Sequence, residues 1–229
     1  MAKALVGLVR DDIESRTQWG LDGAIYSSFA NLVNKHADPW AGDKAAVKSL
    51  VKRASSAGGS EDAANQGTVF HDLTQLIDEG KAPQIPPALA AWAAAYVEAM
   101  AEWETLYAEP FLVCDQIQCA GSADRILRHH TTGQIVVGDI KTGTHEPNYP
   151  LKVSIQVAIY AHSVLYNQAT GERTPIEMSH TEGLLIHVPI RDGAPRCDLY
   201  PLDLELGWKY AQLAAEVRAA RKMPKLKKL

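Results

Sequence analysis

The chain has 229 residues, of which 46% are hydrophobic and 22% charged, and its formal net charge is −4 at pH 7. A chain of this length and composition can bury a substantial core, and its acidic balance argues against a strongly basic protein that coats nucleic acid. An enzyme that acts on DNA stays compatible with this charge, because acidic metal ligands themselves make the total more negative.

The sequence also argues against several other classes of protein. No apolar run approaches the roughly 18 residues that a membrane span needs, and the first apolar stretch is too short for a secretory signal. The three cysteines, Cys114, Cys119 and Cys197, form no C-x-x-C pair, so neither a disulfide framework nor a zinc or iron–sulfur site is indicated. We therefore expect a cytoplasmic protein that makes no contact with a membrane.

Two regions are predicted, an N-terminal helical region over residues 1–60 and a main domain over residues 61–229. Within the first region, residues 43–53 are typical of a helix with a basic face. Residues 54–65 are rich in Ser, Gly and Ala, which indicates a loop. This loop either borders a DNA channel or is an ordinary surface loop.

The main domain is predicted to begin with an amphipathic helix over residues 67–77, since apolar residues recur there at helical spacing. His71 lies one turn after Gly67, so the glycine leaves room beside the imidazole for a close neighbour. A lone histidine on a helix is either a hydrogen-bonded or exposed side chain or a metal ligand. After a Pro-rich linker at 81–87, a long alanine-rich helix is predicted over 88–108, with an aromatic stripe that we expect in the core.

The most informative part of the sequence is a predicted hairpin whose strands cover residues 123–127 and 135–141, joined by a Thr-Thr-Gly turn. Asp139 and Lys141 fall on the same face of the second strand, because side chains alternate along a strand. Asp124 lies on the first strand. The hairpin is therefore expected to bring these three side chains within a few ångströms of one another.

Two carboxylates make an oxygen-rich site suited to Mg²⁺ or Mn²⁺, which keep positions open for water and a substrate phosphate. Such a metal lowers the pKa of a bound water, and a lysine beside it can orient that water or stabilise developing charge. The alternative is a structural ion pair between Asp139 and Lys141, with Asp124 as a turn carboxylate.

Three further side chains can reach this site. Glu109 is predicted at the junction between the alanine-rich helix and a strand over 111–118, where it is either a third carboxylate or an exposed turn residue. A helix predicted over 151–166 places Gln156 and Tyr160 on one face, which can point at the site. A structural role for Tyr160 is the alternative.

The C-terminal part is predicted to form a strand pair, over 182–190 and 196–202, and a closing helix over 204–222. The apolar stripe of this helix consists of Tyr210, Leu213, Val217 and Ala220. The chain then ends in a tail that is basic and contains no acid, and that either contacts phosphates or is a solvated terminus. Its basic residues are Arg218, Arg221, Lys222, Lys225, Lys227 and Lys228.

Taken in order, four motifs resemble the signature of the PD-(D/E)XK nuclease superfamily, in particular its RecB-like branch. This branch includes the CRISPR-adaptation nucleases and stand-alone exonucleases of bacteriophages. The signature consists of a G-x-x-x-H helix, a G-x-x-D strand, a D-x-K strand and a Q-x-x-x-Y helix. The corresponding pairs are Gly67 with His71, Gly121 with Asp124, Asp139 with Lys141, and Gln156 with Tyr160.

This resemblance implies an α/β fold with a restriction-endonuclease-like core, in which helices flank a central mixed β-sheet. It also implies that His71, Asp124 and Asp139, with the backbone carbonyl of Ile140, bind a divalent metal, Mg²⁺ or Mn²⁺. Lys141 would position the attacking water, so that Asp124, Asp139 and Lys141 form the catalytic set. The motifs do not cover residues 1–60.

The resemblance also implies that Gln156 and Tyr160 contact DNA or brace the site, and it makes Glu109 a further candidate carboxylate. The CRISPR-adaptation nucleases hold an iron–sulfur cluster with four cysteines, whereas this chain has three cysteines in all. No cluster is therefore expected, which favours the exonucleases of the phage type.

The function that the resemblance implies is a metal-dependent exonuclease that hydrolyses phosphodiester bonds of linear duplex or single-stranded DNA, in phage or bacterial recombination, replication or repair. A single-strand annealing or recombination protein and further copies of the chain are candidate partners. The alternatives are a structure-specific or restriction-type endonuclease on the same fold and a catalytically silent scaffold that binds DNA.

Overall fold

The computed structural model describes residues 60–143, 150–190 and 193–221. The chain divides into two units, residues 1–66 and 67–229, of which the second contains the predicted motifs. The helix predicted over 43–53 and most of the basic C-terminal tail lie outside the described residues.

In chain order, the helices and strands are α1 (Ser60–Asp78), α2 (Ala90–Ala99), β1 (Trp103–Ala108), β2 (Phe111–Cys114), β3 (Cys119–Ser122), β4 (Arg125–His129), β5 (Ile135–Lys141), α3 (Pro150–Ala161), β6 (Val164–Tyr166), β7 (Arg173–Thr174), β8 (Glu182–His187), β9 (Asp198–Asp203) and α4 (Leu204–Ala220).

The strands form two sheets, one with the order β1-β4-β5-β8-β9 and a smaller one with the order β3-β2-β6-β7. In the larger sheet, β5 and β8 run parallel, while the other neighbouring strands run antiparallel. Helices flank this mixed sheet, which confirms the predicted α/β fold class. None of the helices in the described part of the chain has the length and apolar character of a membrane span.

Side-chain alternation on the larger sheet divides the core into two clusters. Leu127 and Val136 pack in one cluster with Phe70 of α1 and residues of α2. Ile126 and Val137, their neighbours in sequence, pack in the other cluster with residues of α3 and the start of α4. Because strand residues point alternately to opposite faces, the sheet is covered on both sides.

The predicted hairpin is confirmed, since β4 and β5 pair antiparallel with Ile126 opposite Val137. The strand predicted over 123–127 is shifted, however, because β4 begins at Arg125 and continues to His129. The strand pair near the C-terminus is also confirmed, as β8 and β9 with slightly different bounds. The first helix begins at Ser60, so the end of the loop predicted over 54–65 is wrong.

The long helix predicted over 88–108 is wrong in its second half. The helix ends at Ala99, and Trp103–Ala108 forms β1, which pairs antiparallel with β4. Trp92 and Tyr96 are buried in the core as expected. The aromatic residues are spaced as in a helix, so the sequence did not indicate the strand. Aromatic residues also favour strands, and here the pairing with β4 overrides helix propensity.

Two other elements are shorter than predicted. The helix predicted over 151–166 ends at Ala161, and Val164–Tyr166 forms a strand that pairs with β2. The strand predicted over 111–118 ends at Cys114, and a 3₁₀ turn follows at Asp115–Ile117. Glu109 therefore lies between two strands and not, as predicted, between a helix and a strand.

The predicted apolar stripe of the closing helix is also wrong as a core face, because Tyr210, Leu213, Val217 and Ala220 are exposed. The buried face of α4 contains the small residues Gly207 and Ala211 instead. A Cβ at Gly207 would lie 2.3 Å from a backbone oxygen of α3, so the two helices approach too closely for a larger residue.

Candidate metal centre

Three candidate ligands from separate parts of the chain meet at one point. His71 lies on α1, Glu109 in the turn between β1 and β2, and Asp124 directly before β4. One nitrogen of His71 and one carboxylate oxygen from each of the two acids all lie within 4.8 Å of one another. A set of one imidazole and two carboxylates fits a divalent cation such as Mn²⁺ or Mg²⁺.

Asp124 is the connection between this set and the D-x-K strand. Its Oδ2 atom accepts a hydrogen bond of 2.6 Å from the backbone N–H of Ile140 in β5. The same oxygen lies 3.8 Å from Nδ1 of His71. Asp124 therefore lies close to the strand that carries Asp139, as predicted.

The imidazole of His71 is biased towards its neutral form. Burial is the largest influence and lowers its pKa, and the positive charges of Lys141 and Arg125 lower it further. The carboxylate of Asp124 and a hydrogen bond with the Ile140 backbone act in the opposite direction, but the net pKa is below the ordinary value. Neutral imidazole is the form that binds a metal, so this environment favours coordination.

Asp139 and Lys141 are in direct contact, as predicted. Lys141 Nζ lies 2.5 Å from the buried Oδ2 of Asp139, so the ammonium group is the partner of this oxygen. Burial raises the pKa of Asp139 to about 6, with a contribution from the charge of Asp124, although Lys141 opposes it. A buried carboxylate whose charge is disfavoured is a group that a cation would stabilise. Asp139 lies outside the group of atoms that are within 4.8 Å of one another.

Glu109 belongs to that group, although the sequence made it the weakest candidate. Its φ of 53° is in the left-handed region, which is strained for a residue other than glycine. Its N–H donates a hydrogen bond of 3.0 Å to the backbone oxygen of Asp124. Burial, followed by the charge of Asp124, raises the pKa of Glu109. Strained backbone conformations occur preferentially at functional sites, which supports a role for this carboxylate.

Tyr160 also lies near the carboxylates of Asp124 and Asp139, and Gln156 is hydrogen-bonded to it. Burial raises the pKa of Tyr160, a hydrogen bond with Gln156 lowers it, and the charges of Asp124 and Asp139 raise it again. A Cβ at Gly121 would lie 2.9 Å from the Tyr160 hydroxyl. The glycine of the G-x-x-D motif therefore provides the space that this tyrosine occupies.

The glycine of the G-x-x-x-H motif has a comparable role. A Cβ at Gly67 would lie 2.9 Å from the hydroxyl oxygen of Thr142, which follows β5. The close neighbour expected beside this glycine is therefore Thr142, and the approach brings α1 against the end of the D-x-K strand.

Sequence reasoning missed Arg125, which follows Asp124 and is fully buried. Its Nε lies 2.5 Å from Oδ2 of Asp78, and this oxygen also accepts a hydrogen bond of 2.7 Å from the Tyr96 hydroxyl. Its Nη1 donates to the backbone oxygen of Asp124 at 2.6 Å, and its Nη2 donates to the hydroxyl of Thr74 at 3.0 Å. The sequence feature that could have indicated this buried arginine is its position directly before the apolar pair Ile-Leu of a strand.

This arginine fixes the position of the ligand set. The Thr74 hydroxyl that Arg125 contacts also donates to the backbone oxygen of His71, at 2.9 Å. Nη1 of Arg125 lies 3.8 Å from Oε1 of Glu109. One buried guanidinium thus connects the segments that carry all three candidate ligands.

His187 is a second buried residue that the sequence did not indicate. It lies opposite Lys141 in the parallel pairing of β5 and β8, and its Nε2 is 3.0 Å from the backbone oxygen of Gly143. The imidazole therefore holds the chain where it leaves the D-x-K strand.

A search against models of protein families finds no match for this chain, and no curated protein is significantly similar to it. The geometry of the site and the four ordered motifs are therefore the features of this chain that bear on its function.

Proposed function

We propose that the protein is a divalent-metal-dependent deoxyribonuclease that hydrolyses phosphodiester bonds of linear DNA as an exonuclease. The observation that carries this proposal is that His71, whose pKa is lowered, meets two carboxylates near the buried Asp139 and the partly exposed Lys141 that pairs with it. A structural ion pair alone does not require a histidine and a strained glutamate at the same point.

The residues that would hold the metal are His71, Asp124 and Asp139, with the backbone carbonyl of Ile140 and with Glu109 as an additional ligand. When bound, Mg²⁺ or Mn²⁺ would supply a water of lowered pKa and would offset negative charge on the phosphate. The fit is supported by the donor set and by the burial of the Asp139 carboxylate, which disfavours its charge until a cation is near.

Lys141 is suited to act on a water or a phosphate oxygen. Its side chain is 43% exposed while its Nζ contacts the buried carboxylate of Asp139. An ammonium group that is held at one side and open to solvent at the other can donate a hydrogen bond to an attacking water or stabilise developing charge. Tyr160, with Gln156 hydrogen-bonded to it, would contact the DNA or restrict the position of the carboxylates.

The experiment compares end-labelled linear duplex, linear single strand and closed circular DNA in the presence of Mg²⁺ or Mn²⁺. The native protein should degrade linear DNA, and Asp139→Ala and Lys141→Ala should each lower the rate by about 100-fold or more, the scale of one preorganised catalytic group. Asp115→Ala is the matched control, because it removes an exposed aspartate that pairs with Arg173 away from the site.

Thermal melting should show that each variant still folds. Activity that is unchanged in folded Asp139→Ala and Lys141→Ala would overturn the proposal. Cleavage of closed circles would replace the exonuclease by an endonuclease on the same site. Absence of cleavage with either metal would favour a catalytically silent scaffold that binds DNA.

A further inference from the structure

The helix α4 exposes a continuous apolar stripe. Nine large hydrophobic side chains are exposed among the described residues, and four of them lie on this helix. Their exposed fractions are 44% for Leu206, 38% for Tyr210, 52% for Leu213 and 46% for Val217. Single exposed apolar residues are ordinary, whereas a row of them on one helix indicates a surface that is covered by something else.

The stripe lies on a different side of α4 from the face by which the helix packs on its own domain. Gly207 and Ala211 are buried, and successive residues of a helix are rotated by about 100°. By that rotation, the centre of the four exposed residues lies roughly 110° around the helix from the midpoint of Gly207 and Ala211, outside the packed face. Their spacing of four, three and four residues is the spacing of core positions in a coiled coil.

We propose that this stripe is the interface of a homodimer, in which α4 of two copies packs antiparallel about a two-fold axis. With the axis near the middle of the helix, Leu206 meets the partner's Val217, and Tyr210 meets the partner's Leu213. Each large side chain then faces another large side chain, and the surface is complementary to itself, as a two-fold interface requires.

The charges beside the stripe favour a second copy of the chain as its partner, and they favour the antiparallel orientation. Lys209 and Glu216 are both exposed and both lie on the same flank of the stripe. In the antiparallel register, Lys209 of each copy lies beside the partner's Glu216, which gives two symmetric ion pairs. In a parallel pairing, Lys209 would lie beside the partner's Ala214, and no such ion pair would form.

The test is the molar mass of the full-length protein in solution from about 1 to 200 μM, measured by sedimentation equilibrium without DNA or metal. The native protein should approach twice the chain mass of 24.9 kDa. Leu213→Asp should remain monomeric over this range, because it places a charge in the centre of the apolar contact. The matched control is Val97→Asp, at an apolar position of α2 that is 50% exposed, and it should dimerise like the native protein.

A charge exchange tests the orientation. Lys209→Glu and Glu216→Lys should each weaken the dimer by roughly 10-fold, since each places like charges together at two symmetric positions. The double variant should recover the native dissociation constant. A monomeric native protein, or a dimer that Leu213→Asp leaves intact, would overturn the proposal. A double variant as weak as the single variants would overturn the antiparallel register. Because the measurement contains no DNA, its outcome is independent of the proposed nuclease activity.

Discussion

Replacing Asp139 by asparagine should stabilise the metal-free protein at pH 7.5, although it removes a residue of the proposed active site. The pKa of Asp139 is raised from its ordinary value of 3.8 to about 6, first by burial. This difference of about two units corresponds to about 3 kcal/mol by which the fold disfavours the ionised carboxylate. Asparagine has nearly the same shape and carries no charge, so this destabilisation is absent in the variant.

The size of the effect depends on pH. In the unfolded chain, the carboxylate ionises near pH 4, whereas in the folded protein it ionises near pH 6. Between these values the unfolded chain binds fewer protons, so the stability of the native protein falls as the pH rises. The advantage of the variant should therefore be small at pH 4, grow between pH 4 and 6, and be complete above pH 6. The lowered pKa of His71 has the opposite effect on stability, but it is present in both proteins and cancels.

The assay is denaturant-induced unfolding in EDTA at pH 4 and at pH 7.5, with Asp115→Asn as the control at an exposed aspartate. At the higher pH the variant should exceed the native protein by about 3 kcal/mol, or by roughly 6–12 °C in Tm for a domain of this size. Adding Mn²⁺ should then stabilise the native protein more than the variant. An Asp139→Asn protein less stable than the native one at pH 7.5 would show that contacts such as the Lys141 ion pair outweigh burial, and the reasoning would be refuted.

Three further substitutions test the packing around the site. Arg125→Met should lower the free energy of unfolding by about 3–5 kcal/mol, measured by denaturation, because it leaves Asp78 as a nearly buried charge without its partner; an unchanged midpoint would contradict this. Gly121→Ala should lower the proposed nuclease activity more than stability, because its methyl group displaces the end of the Tyr160 side chain. Gly207→Ala should instead lower stability more than activity, with a loss of about 1–3 kcal/mol in the free energy of unfolding, because its methyl group meets the backbone of α3. Activity and melting temperature are measured for both glycine variants. The prediction is contradicted if the two variants lose activity and stability in the same proportion.

The parts of the site that could be predicted are those set by local pattern. Alternation along one strand places Asp139 and Lys141 on the same side, and their ion pair follows from that geometry. The Thr-Thr-Gly turn fixes the hairpin, which brings Asp124 to the backbone of Ile140. Both inferences require only the period of a strand and the conformation of a short turn.

The parts that could not be predicted depend on contacts between distant segments. Arg125 and Asp78 are 47 residues apart along the chain, and nothing local to either residue indicates the other. The segment Trp103–Ala108 has spacing compatible with a helix, and only its pairing with β4 makes it a strand. On α4, periodicity identifies an apolar stripe but not the side that packs inward, which the small size of Gly207 decides.

The two basic residues of the site differ in a way that assigns them different tasks. Arg125 is fully buried and bonded to groups on several segments, so its charge is a fixed part of the fold. Lys141 is partly exposed and contacts Asp139 through one ion pair, so a cation bound to that carboxylate could replace its ammonium group. Burial disfavours the charges of Glu109 and Asp139, and the charge of Asp124 disfavours both of them further. The fixed guanidinium of Arg125 offsets part of this negative charge whether or not a metal is bound. The ammonium group of Lys141 offsets the charge of Asp139, which a bound divalent cation would otherwise neutralise.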